Sequence, residues 1–411
     1  MYRRFALADD AIRFVLQLGR VLHRYGTPAH RLEEALRVCC DRLGIEAEVF
    51  TTPTAIIMSF GDPIELRTRM LRVESGELDM GKLARVDALA DAVAARQITA
   101  AEGVAKLEAI VASPRQFGHA ISTLMHGITA GSLAVFFGGG LPDVALAAAI
   151  GCSLGLLAQY AQRSTDQARV FELVGAAFAA LVAGLASAWW PAVSPSVVTV
   201  AALIILLPGM SLTVAMTELA TRNLIAGTAR LMSAVIVLLE LVVGVALGER
   251  LASALVTVHQ ATPVALPEYA QWVALVAASL GIAIVVQAQP RAFGWILAAC
   301  VVGYVGSRVG TTWLGGAQAQ LAQLGVMVGA FALGVTSNAY ARLLDRPASV
   351  VQVPAVLLLV PGSMGFRGMT SLLDRNTLSG VETVFAMFVV ALAIVAGLLV
   401  ANAVVSPRRS L

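Results

Sequence analysis

Residues 196–209 read SVVTVAALIILLPG, and residues 349–362 read SVVQVPAVLLLVPG. The two stretches align at an offset of 153 residues, and 14 of the 32 positions from 196 to 227 are then identical without a gap. The same offset pairs Met216-Thr217 with Met369-Thr370, Arg222-Asn223 with Arg375-Asn376, and Gly227 with Gly380. Chance similarity between two apolar helices would not keep Pro-Gly and Arg-Asn together, so the chain contains an internal repeat.

The composition identifies an integral membrane protein. Of the 411 residues, 58% are hydrophobic and 13% are charged, with a mean hydropathy of +0.79, values far outside soluble usage. Residues 1–115 carry 16 Lys+Arg and 16 Asp+Glu, whereas the remaining 296 residues carry only 13 and 10. A soluble-type head (residues 1–114) therefore precedes a membrane body. The net charge of +3 is too small and scattered for a nucleic-acid groove, and the apolar content excludes disorder.

The head is predicted to be a small cytoplasmic α+β domain. The apolar spacing indicates two helices, three strands at about 46–51, 54–60 and 64–73, and two further helices at about 80–96 and 99–111. Gly61-Asp62-Pro63 is predicted to form the turn between the second and third strands. The N-terminus lacks the continuous apolar core of a signal peptide, because it carries Asp9, Asp10, Arg13 and Arg20, so we expect the head to stay inside the cell.

No cofactor, metal site or disulfide is expected. The four cysteines, at positions 39, 40, 152 and 300, have no zinc-type spacing. His23, His30, Glu33 and Glu34 lie close in sequence, and a metal or hydrolytic site is one interpretation of them. We expect instead that they occupy the solvent-exposed faces of amphipathic helices.

The body is predicted to cross the membrane ten times. A bilayer core of about 30 Å needs about 20 apolar residues per helix, and the chain supplies ten such stretches. The predicted spans are 117–138, 142–161, 171–189, 196–220, 225–248, 270–288, 292–309, 317–341, 349–372 and 379–404. They form a first membrane repeat at 115–250 and a second at 268–405. Because each repeat has five spans, an odd number, the two repeats should enter the bilayer in opposite senses.

The loop charges predict the orientation. With the head inside, nine arginines fall on the inner side and four on the outer side, as the positive-inside rule requires. We therefore expect a multi-pass protein of the cell inner membrane with both termini in the cytoplasm, in contact with the lipid bilayer and without nucleic-acid partners. A homodimer is one expectation for its assembly.

The two Pro-Gly pairs are predicted to break their spans. Pro208-Gly209 lies about 18 Å into the membrane, and Pro361-Gly362 lies at the matching depth from the other side. Paired interruptions of this kind mark the substrate site of inverted-repeat transporters. The substrate-binding candidates are Pro208, Gly209, Ser211, Thr213, Pro361, Gly362 and Ser363. The alternative is an ordinary kink packed by neighbouring helices.

Four polar residues after the broken spans are candidates for gating: Arg222, Asn223, Arg375 and Asn376. Helix capping and interface anchoring explain them equally well. Thr217 and Glu218, with their counterparts Thr370 and Ser371, are weaker candidates. Glu240 lies inside an apolar stretch, and a buried carboxylate there suggests proton coupling. His126 is a second proton-coupling candidate, although a lone membrane histidine is more often hydrogen-bonded between helices.

These motifs resemble those of the threonine/serine exporter family. In the head the resemblance rests on Leu18-Gly19-Arg20, Tyr25-Gly26-Thr27-Pro28, His30-Arg31-Leu32-Glu33 and Thr52-Pro53-Thr54. In the body it rests on Leu207-Pro208-Gly209 and Val360-Pro361-Gly362. The resemblance implies export of threonine and serine from the cytoplasm, driven by the proton gradient, with the head and both halves fused in one chain. Some relatives with separate halves are linked to small dicarboxylates.

The principal hypothesis is therefore a secondary transporter whose substrate is a small hydroxy amino acid and whose coupling ion is the proton. Half-helix N-termini favour the carboxylate of a zwitterion, and unwound carbonyls favour its ammonium. A dicarboxylate exporter is the first alternative and needs more positive charge, for which Arg222, Arg367 and Arg375 are the obvious sources. A membrane-anchored enzyme or regulator with an active head is the second, although no catalytic motif is present.

Overall fold

The computed structural model describes residues 2–61, 66–74, 76, 78–315, 323–359, 361–373 and 375–407. Asp62 and Pro63 of the predicted turn, Val360, and residues 317–322 of the predicted eighth span lie outside the described residues.

In its described residues, the head consists of four helices and a three-stranded antiparallel sheet of order β1-β2-β3. The elements are α1 (Tyr2–Arg24), α2 (Ala29–Leu43), β1 (Ala47–Thr52), β2 (Ala55–Phe60), β3 (Arg67–Arg72), α3 (Met80–Ala94) and α4 (Ala100–Ala112). Thr52 pairs with Ala55, and Phe60 pairs with Arg67. Alternate residues of β2 are buried, because successive side chains of a strand point to opposite faces, and the buried face joins the core around Phe14 of α1.

Local sequence signals fix the ends of the head helices. Asp79 caps α3, because its carboxylate accepts a 2.7 Å hydrogen bond from the Lys82 amide. Thr99 and Glu102 form a reciprocal capping box at the start of α4. Gly44 ends α2 in the left-handed conformation at φ 74°, where a residue without a Cβ atom is favoured.

The body is helical throughout its described residues, apart from its connecting segments. Its helices are α5 (His119–Phe136), α6 (Leu141–Ala161), α7 (Thr165–Arg169), α8 (Phe171–Trp189), α9 (Pro195–Leu203), α10 (Gly209–Ala220), α11 (Leu224–Leu255), α12 (Glu268–Val285), α13 (Phe293–Gly315), α14 (Gly325–Leu344), α15 (Ser349–Leu359), α16 (Gly362–Leu373) and α17 (Thr377–Val404), with a short 3-10 turn at Pro290–Ala292.

Seven helices among the described residues are long and apolar enough to cross a membrane. They are Leu141–Ala161, Phe171–Trp189, Leu224–Leu255, Glu268–Val285, Pro290–Trp313, Ser349–Leu373 and Thr377–Val404. The chain is thus a polytopic, membrane-embedded protein. The other three predicted spans coincide with α5, with the pair α9 and α10, and with α14.

Small residues bring the long helices together at matching places in the two halves. Gly244 of α11 packs directly on the carbonyl of Leu173 in α8, and Gly397 of α17 packs on the carbonyl of Met327 in α14. A side chain at either glycine would push the helices apart, because membrane helices gain stability from close backbone approach. Gly397 follows Gly244 by the repeat offset of 153 residues.

The head docks on one end of the body. The amides of Met80 and Gly81, at the start of α3, donate hydrogen bonds of 2.9 and 3.1 Å to the carbonyls of Val286 and Gln287, which follow α12. The buried core of the head is continuous with buried residues of the C-terminal half, including Ile282. The end of α12 has carbonyls without partners in its own helix, and the head supplies their donors.

Candidate functional site

The first predicted helix break is present, and Gly209 beside it contacts Gly362 of the second Pro-Gly pair, whose preceding residue Val360 lies outside the described residues. Helix α9 ends at Leu203 and α10 starts at Gly209, while α15 ends at Leu359 and α16 starts at Gly362. A Cβ atom built on Gly362 would lie 3.2 Å from the Cβ of Leu207 and 3.3 Å from both the Cα and the N of Gly209. The N-termini of α10 and α16 therefore converge on one point, where the positive ends of their dipoles lie together.

From this point the two half-helices run to opposite ends of the body. The end of α10 lies beside Arg230 of α11, because Glu218 pairs with that arginine. The end of α16 lies beside Arg250 of α11, because Arg250 and Arg375 line one cavity. Twenty residues of helix at 1.5 Å each separate Arg230 from Arg250, which is about 30 Å. The head lies at the Arg230 end.

The two Arg-Asn pairs end their half-helices with the same backbone geometry. Arg222 and Arg375 both have φ of 64°. The Arg222 amide donates to the Leu219 carbonyl at 3.1 Å, and the Asn223 amide donates to the Glu218 carbonyl at 2.8 Å. The Arg375 and Asn376 amides make the equivalent bonds to Leu372 and Ser371, at 3.2 and 2.9 Å. Both pairs thus form Schellman caps with arginine in the left-handed position.

The predicted hydroxyl groups differ in whether they line a cavity. Thr213 is buried, and its hydroxyl donates to the Gly209 carbonyl at 3.2 Å, in the first turn after the break. Thr217 follows one turn later and donates to the Thr213 carbonyl at 2.9 Å. Ser211 and Ser363 are half-buried near the breaks. Thr213 and Thr217 share the wall of a cavity, whereas Ser211 and Ser363 do not line it.

That cavity lies between the head and the body and has a volume of about 220 Å³. Helix α2 contributes His30, Arg31 and Glu34, and α3 contributes Asp87. The body contributes Met210, Thr213 and Thr217 from α10, together with Gln352 from α15 and Asn402 from α17. Because Met210 directly follows Gly209, the cavity extends from the head to the first turn beyond the break. It is smaller than the ~300–1,000 Å³ typical of drug-sized ligand sites.

Glu218 is the buried charge at this interface. Its side chain has no solvent exposure, and it pairs with Arg230 through hydrogen bonds of 3.0 and 3.1 Å. The carboxylate also accepts a 3.0 Å hydrogen bond from the amide of Ala29, in the first turn of α2. One acidic side chain of the body therefore holds both an arginine of the body and the N-terminus of a head helix, where a negative charge is favoured.

Glu218 is a weaker candidate in the sequence than in the structure. The residue directly follows the stretch 173–217, which contains no charged side chain, and this isolation was the available signal. Its repeat counterpart is Ser371 and that of Arg230 is Thr383. The ion pair therefore belongs to one half only and is not part of the internal repeat.

The prediction that the head histidines lie on solvent-exposed faces was wrong for His23. Its side chain is buried at 5% exposure, and neither ring nitrogen has a hydrogen-bond partner among the described residues. The carbonyls of Thr52 and Pro53 lie nearby without a hydrogen bond of standard geometry. Burial, followed by the charge of Arg230, lowers the pKa of His23, because a buried imidazolium loses its hydration.

The side chains of His30 and Glu33 are also half-buried rather than fully exposed to solvent. Nδ1 of His30 is buried without a partner in the described part of the chain. Burial, followed by the charge of Arg31, lowers the pKa of His30 to about 4. Glu33 accepts hydrogen bonds of 2.8 and 3.0 Å from the amide and hydroxyl of Thr51, which ties α2 to the sheet.

The two proton-coupling candidates lie apart from this interface. Glu240 is half-buried on α11 rather than enclosed, and it makes no hydrogen bond or ion pair within the residues that the structure describes. His126 of α5 forms a 2.7 Å hydrogen bond between Nδ1 and the Ser122 carbonyl. Its ring packs over Gly155 of α6.

Two of the predicted arginines, Arg367 and Arg375, lie toward the end of the body that is opposite the head. Arg375 lines a cavity of about 570 Å³ together with Glu249 and Arg250 of α11. Arg367 of α16 lies with its guanidinium carbon 4.8 Å from the centre of the Phe137 ring, a cation–π contact. Arg222 is exposed beyond the end of α10.

Comparison with protein families finds two matches that together cover most of the chain. Residues 13–252 match a family described as "Putative threonine/serine exporter", and residues 271–404 match a family described as "Threonine/Serine exporter, ThrE". The first match contains the head and the Pro208-Gly209 break, and the second contains the Pro361-Gly362 break. No solved structure matches the chain.

Curated relatives are fungal membrane proteins and an uncharacterized protein. The chain is 28% identical over 371 residues to the uncharacterized protein C7D4.12c of Schizosaccharomyces pombe, with 87% of this chain and 48% of the relative covered. It is 27% identical over 360 residues to the pheromone-regulated membrane protein 10 of Eremothecium gossypii, with 86% and 48% covered. The protein of the same name from Saccharomyces cerevisiae is 28% identical, with 89% and 48% covered. The chain thus spans about half the length of these relatives.

Proposed function

The chain belongs to the threonine/serine exporter family, and from this premise we propose that it is a secondary transporter that exports threonine or serine from the cytoplasm. The observation that carries the proposal is the contact between Gly209 and Gly362, which brings the N-termini of α10 and α16 together beside the cavity. Two helix N-termini favour the carboxylate of an amino acid. The carbonyls of residues 204–206, between α9 and α10, suit its ammonium group.

We further propose that the body has ten spans arranged as two inverted five-helix repeats. The body lies in the inner membrane, and the head lies in the cytoplasm. The identical φ angles of Arg222 and Arg375 and the opposite courses of α10 and α16 support this arrangement. Of the three proposed spans outside the seven long helices, the α9–α10 pair is interrupted between Leu203 and Gly209. Interrupted helices are tolerated in a bilayer where they line a cavity.

The Arg-Asn pairs are proposed to gate the two ends of the pathway. A glycine would adopt the left-handed conformation of Arg222 and Arg375 without strain, whereas any other L-residue costs about 1–2 kcal/mol there. Arginine in both copies therefore supports a role for the guanidinium groups beyond ending a helix.

Proton coupling is proposed for Glu240, with His126 as the second candidate. Glu240 makes no hydrogen bond or ion pair among the described residues, and an ionisable residue within an apolar membrane helix is costly to keep and is typical of proton relays. His126 is held by the Ser122 carbonyl, an arrangement that suits a structural role as well.

A dicarboxylate exporter is the second candidate function. Among the described residues, the cavity is lined by one guanidinium, that of Arg31, and by the carboxylates of Glu34 and Asp87. This mixture suits a zwitterion better than a dianion, because a second carboxylate would meet like charge. The geometry therefore favours the amino acid.

The test is uptake of labelled threonine, serine and succinate into proteoliposomes that contain the purified protein, with and without an imposed pH gradient. We expect threonine or serine flux that responds to the gradient and is lost in Pro208→Ala. Glu240→Gln should keep exchange of threonine and lose its dependence on the gradient. Pro142→Ala is the matched control, because Pro142 is an exposed proline at the start of α6.

Two results would contradict the proposal. Flux of succinate without flux of either amino acid would assign the chain to dicarboxylates. Full threonine flux in Pro208→Ala, with the same gradient response as Pro142→Ala, would show that the Pro-Gly break has no part in transport.

A further inference from the structure

Arg31 has an unusual environment for an arginine of a soluble-type head. It lies on the first turns of α2 and lines the cavity between the head and the body. It makes no hydrogen bond and no ion pair within 4.0 Å among the residues that the structure describes. Burial lowers its pKa, and Glu34 on the next turn is the carboxylate whose charge opposes that effect.

A half-buried guanidinium without an ion pair among the described residues is costly to keep, so it favours an anionic partner. The planar fork of arginine donates two parallel hydrogen bonds to a carboxylate, which a lysine does not do. The groups that line the cavity around Arg31 match the other parts of an amino acid. Glu34 and Asp87 supply negative charge for an ammonium group, and Thr213 and Thr217 supply hydroxyl groups from the body.

A second buried polar atom belongs to a residue that lines the same cavity. Nδ1 of His30, the residue before Arg31, has no hydrogen-bond partner within the described ranges although it is buried. Buried polar atoms in folded proteins are almost always paired with protein or ordered water. Two adjacent residues of α2 therefore present unsatisfied hydrogen-bonding groups beside one cavity, whose volume of about 220 Å³ suits a small solute.

We infer that the head forms part of the substrate site, and that Arg31 binds the carboxylate of the amino acid as it enters from the head side. The cavity is then the first binding position, and the meeting point of α10 and α16 is the next along the pathway. Since Thr213 donates to the carbonyl of Gly209 and also lines the cavity, the two positions share a wall. This inference rests on the proposed function.

The test is binding of labelled L-threonine to the purified full-length protein in lipid nanodiscs. A hydrogen bond to a charged group is worth about 1.5–3 kcal/mol, so Arg31→Gln should weaken binding about 10- to 150-fold. Arg31→Lys should recover part of the loss. Arg37→Gln is the matched control, because Arg37 is an exposed arginine on the same helix, and it should bind as the wild type does.

L-threonine methyl ester separates a direct contact from structural damage. The ester lacks the carboxylate charge, so it should bind weakly to the wild type and equally weakly to Arg31→Gln. Equal loss of threonine and ester affinity in Arg31→Gln would overturn the inference, and so would threonine binding that matches the Arg37→Gln control. If Arg31→Gln does not fold, the same comparison is made with Arg31→Lys.

Failure of the inference is distinguishable from failure of the proposed function. Wild-type protein that transports threonine while Arg31→Gln does so with an unchanged KM overturns the role of Arg31 alone. Wild-type protein that neither binds nor transports either amino acid sinks the proposed function. Succinate binding that depends on Arg31 retains the carboxylate contact and transfers the substrate to dicarboxylates.

Discussion

Replacing Glu218 with leucine should release the head from the body and destabilise the protein. The carboxylate has no solvent exposure, and Arg230, its partner, is only 20% exposed. It also accepts the amide of Ala29 across 189 residues of sequence. Glu218→Leu therefore leaves a guanidinium and a backbone N–H without their acceptor.

The two consequences have different magnitudes. Removal of one member of a buried ion pair costs about 3–5 kcal/mol of stability, because the other charge stays buried without compensation. The contribution to head docking is smaller, since only the Ala29 bond is lost there. A hydrogen bond to a charged acceptor is worth about 1.5–3 kcal/mol, which corresponds to about a 10- to 150-fold rise in the open population of the head.

Hydrogen exchange and thermal unfolding measure these two effects separately. Exchange at the start of α2, read by mass spectrometry on peptides that cover residues 25–43, reports opening of the head. Thermal unfolding in detergent reports the stability of the whole chain. Glu218→Leu with Arg230→Met should recover thermal stability, because an apolar pair replaces the ion pair, while exchange at Ala29 stays fast. Glu240→Leu is the control and should change neither readout.

Unchanged exchange of residues 25–43 in Glu218→Leu would refute the docking role of the carboxylate. A double variant no more stable than Glu218→Leu alone would refute the claim that an uncompensated Arg230 causes the loss.

Two further outcomes are expected. Gly362→Ala should reduce threonine flux by forcing α10 and α16 apart, because its Cβ would lie 3.3 Å from Gly209, and such overpacking costs about 1–3 kcal/mol. Gly294→Ala should be neutral, since nothing lies within 4 Å of a Cβ there, and equal fluxes in both variants would exclude a tight contact at the breaks. The folded protein keeps His30 neutral by lowering its pKa from 6.5 to about 4, so the stability that His30 contributes at this interface is greatest above pH 6.5 and weakens as the pH falls toward 4. The full effect is on the order of 3 kcal/mol. The charged groups that act on this imidazole are Arg31, Glu218 and Arg230. Exchange of residues 25–43 measured between pH 7 and pH 5, after correction for the intrinsic rate, should show this weakening in the wild type and less of it in His30→Gln.

Sequence periodicity was sufficient for the secondary structure of the head and the positions of the long body helices. The apolar runs, and the Gly and Pro residues between them, determine the conformation of the backbone in their own neighbourhood. Helices and strands therefore begin and end where these residues predict. The breaks at residues 204–208 and before Gly362 follow from proline and glycine in the same way. The family also follows from residues that can be quoted in order along the chain.

The candidate site was predicted less completely. The Pro-Gly pairs were recognised, but their contact was not, because no pattern within either segment specifies which surface of the other it touches. Glu240 was selected for its isolation among apolar residues, whereas the structure gives the buried ion pair to Glu218. His23 was assigned to a solvent-exposed face, yet the docked head buries it.

The sequence by itself determined the membrane class, the repeat, the helix breaks and the exporter family, since each depends on composition or on spacing along one segment. The tertiary structure decided which of these segments meet. It joined Gly209 to Gly362, Ala29 to Glu218, and the start of α3 to the end of α12. Such contacts depend on packing and on hydrogen bonds between elements that are far apart in the chain. The hydropathy pattern of one segment does not specify them.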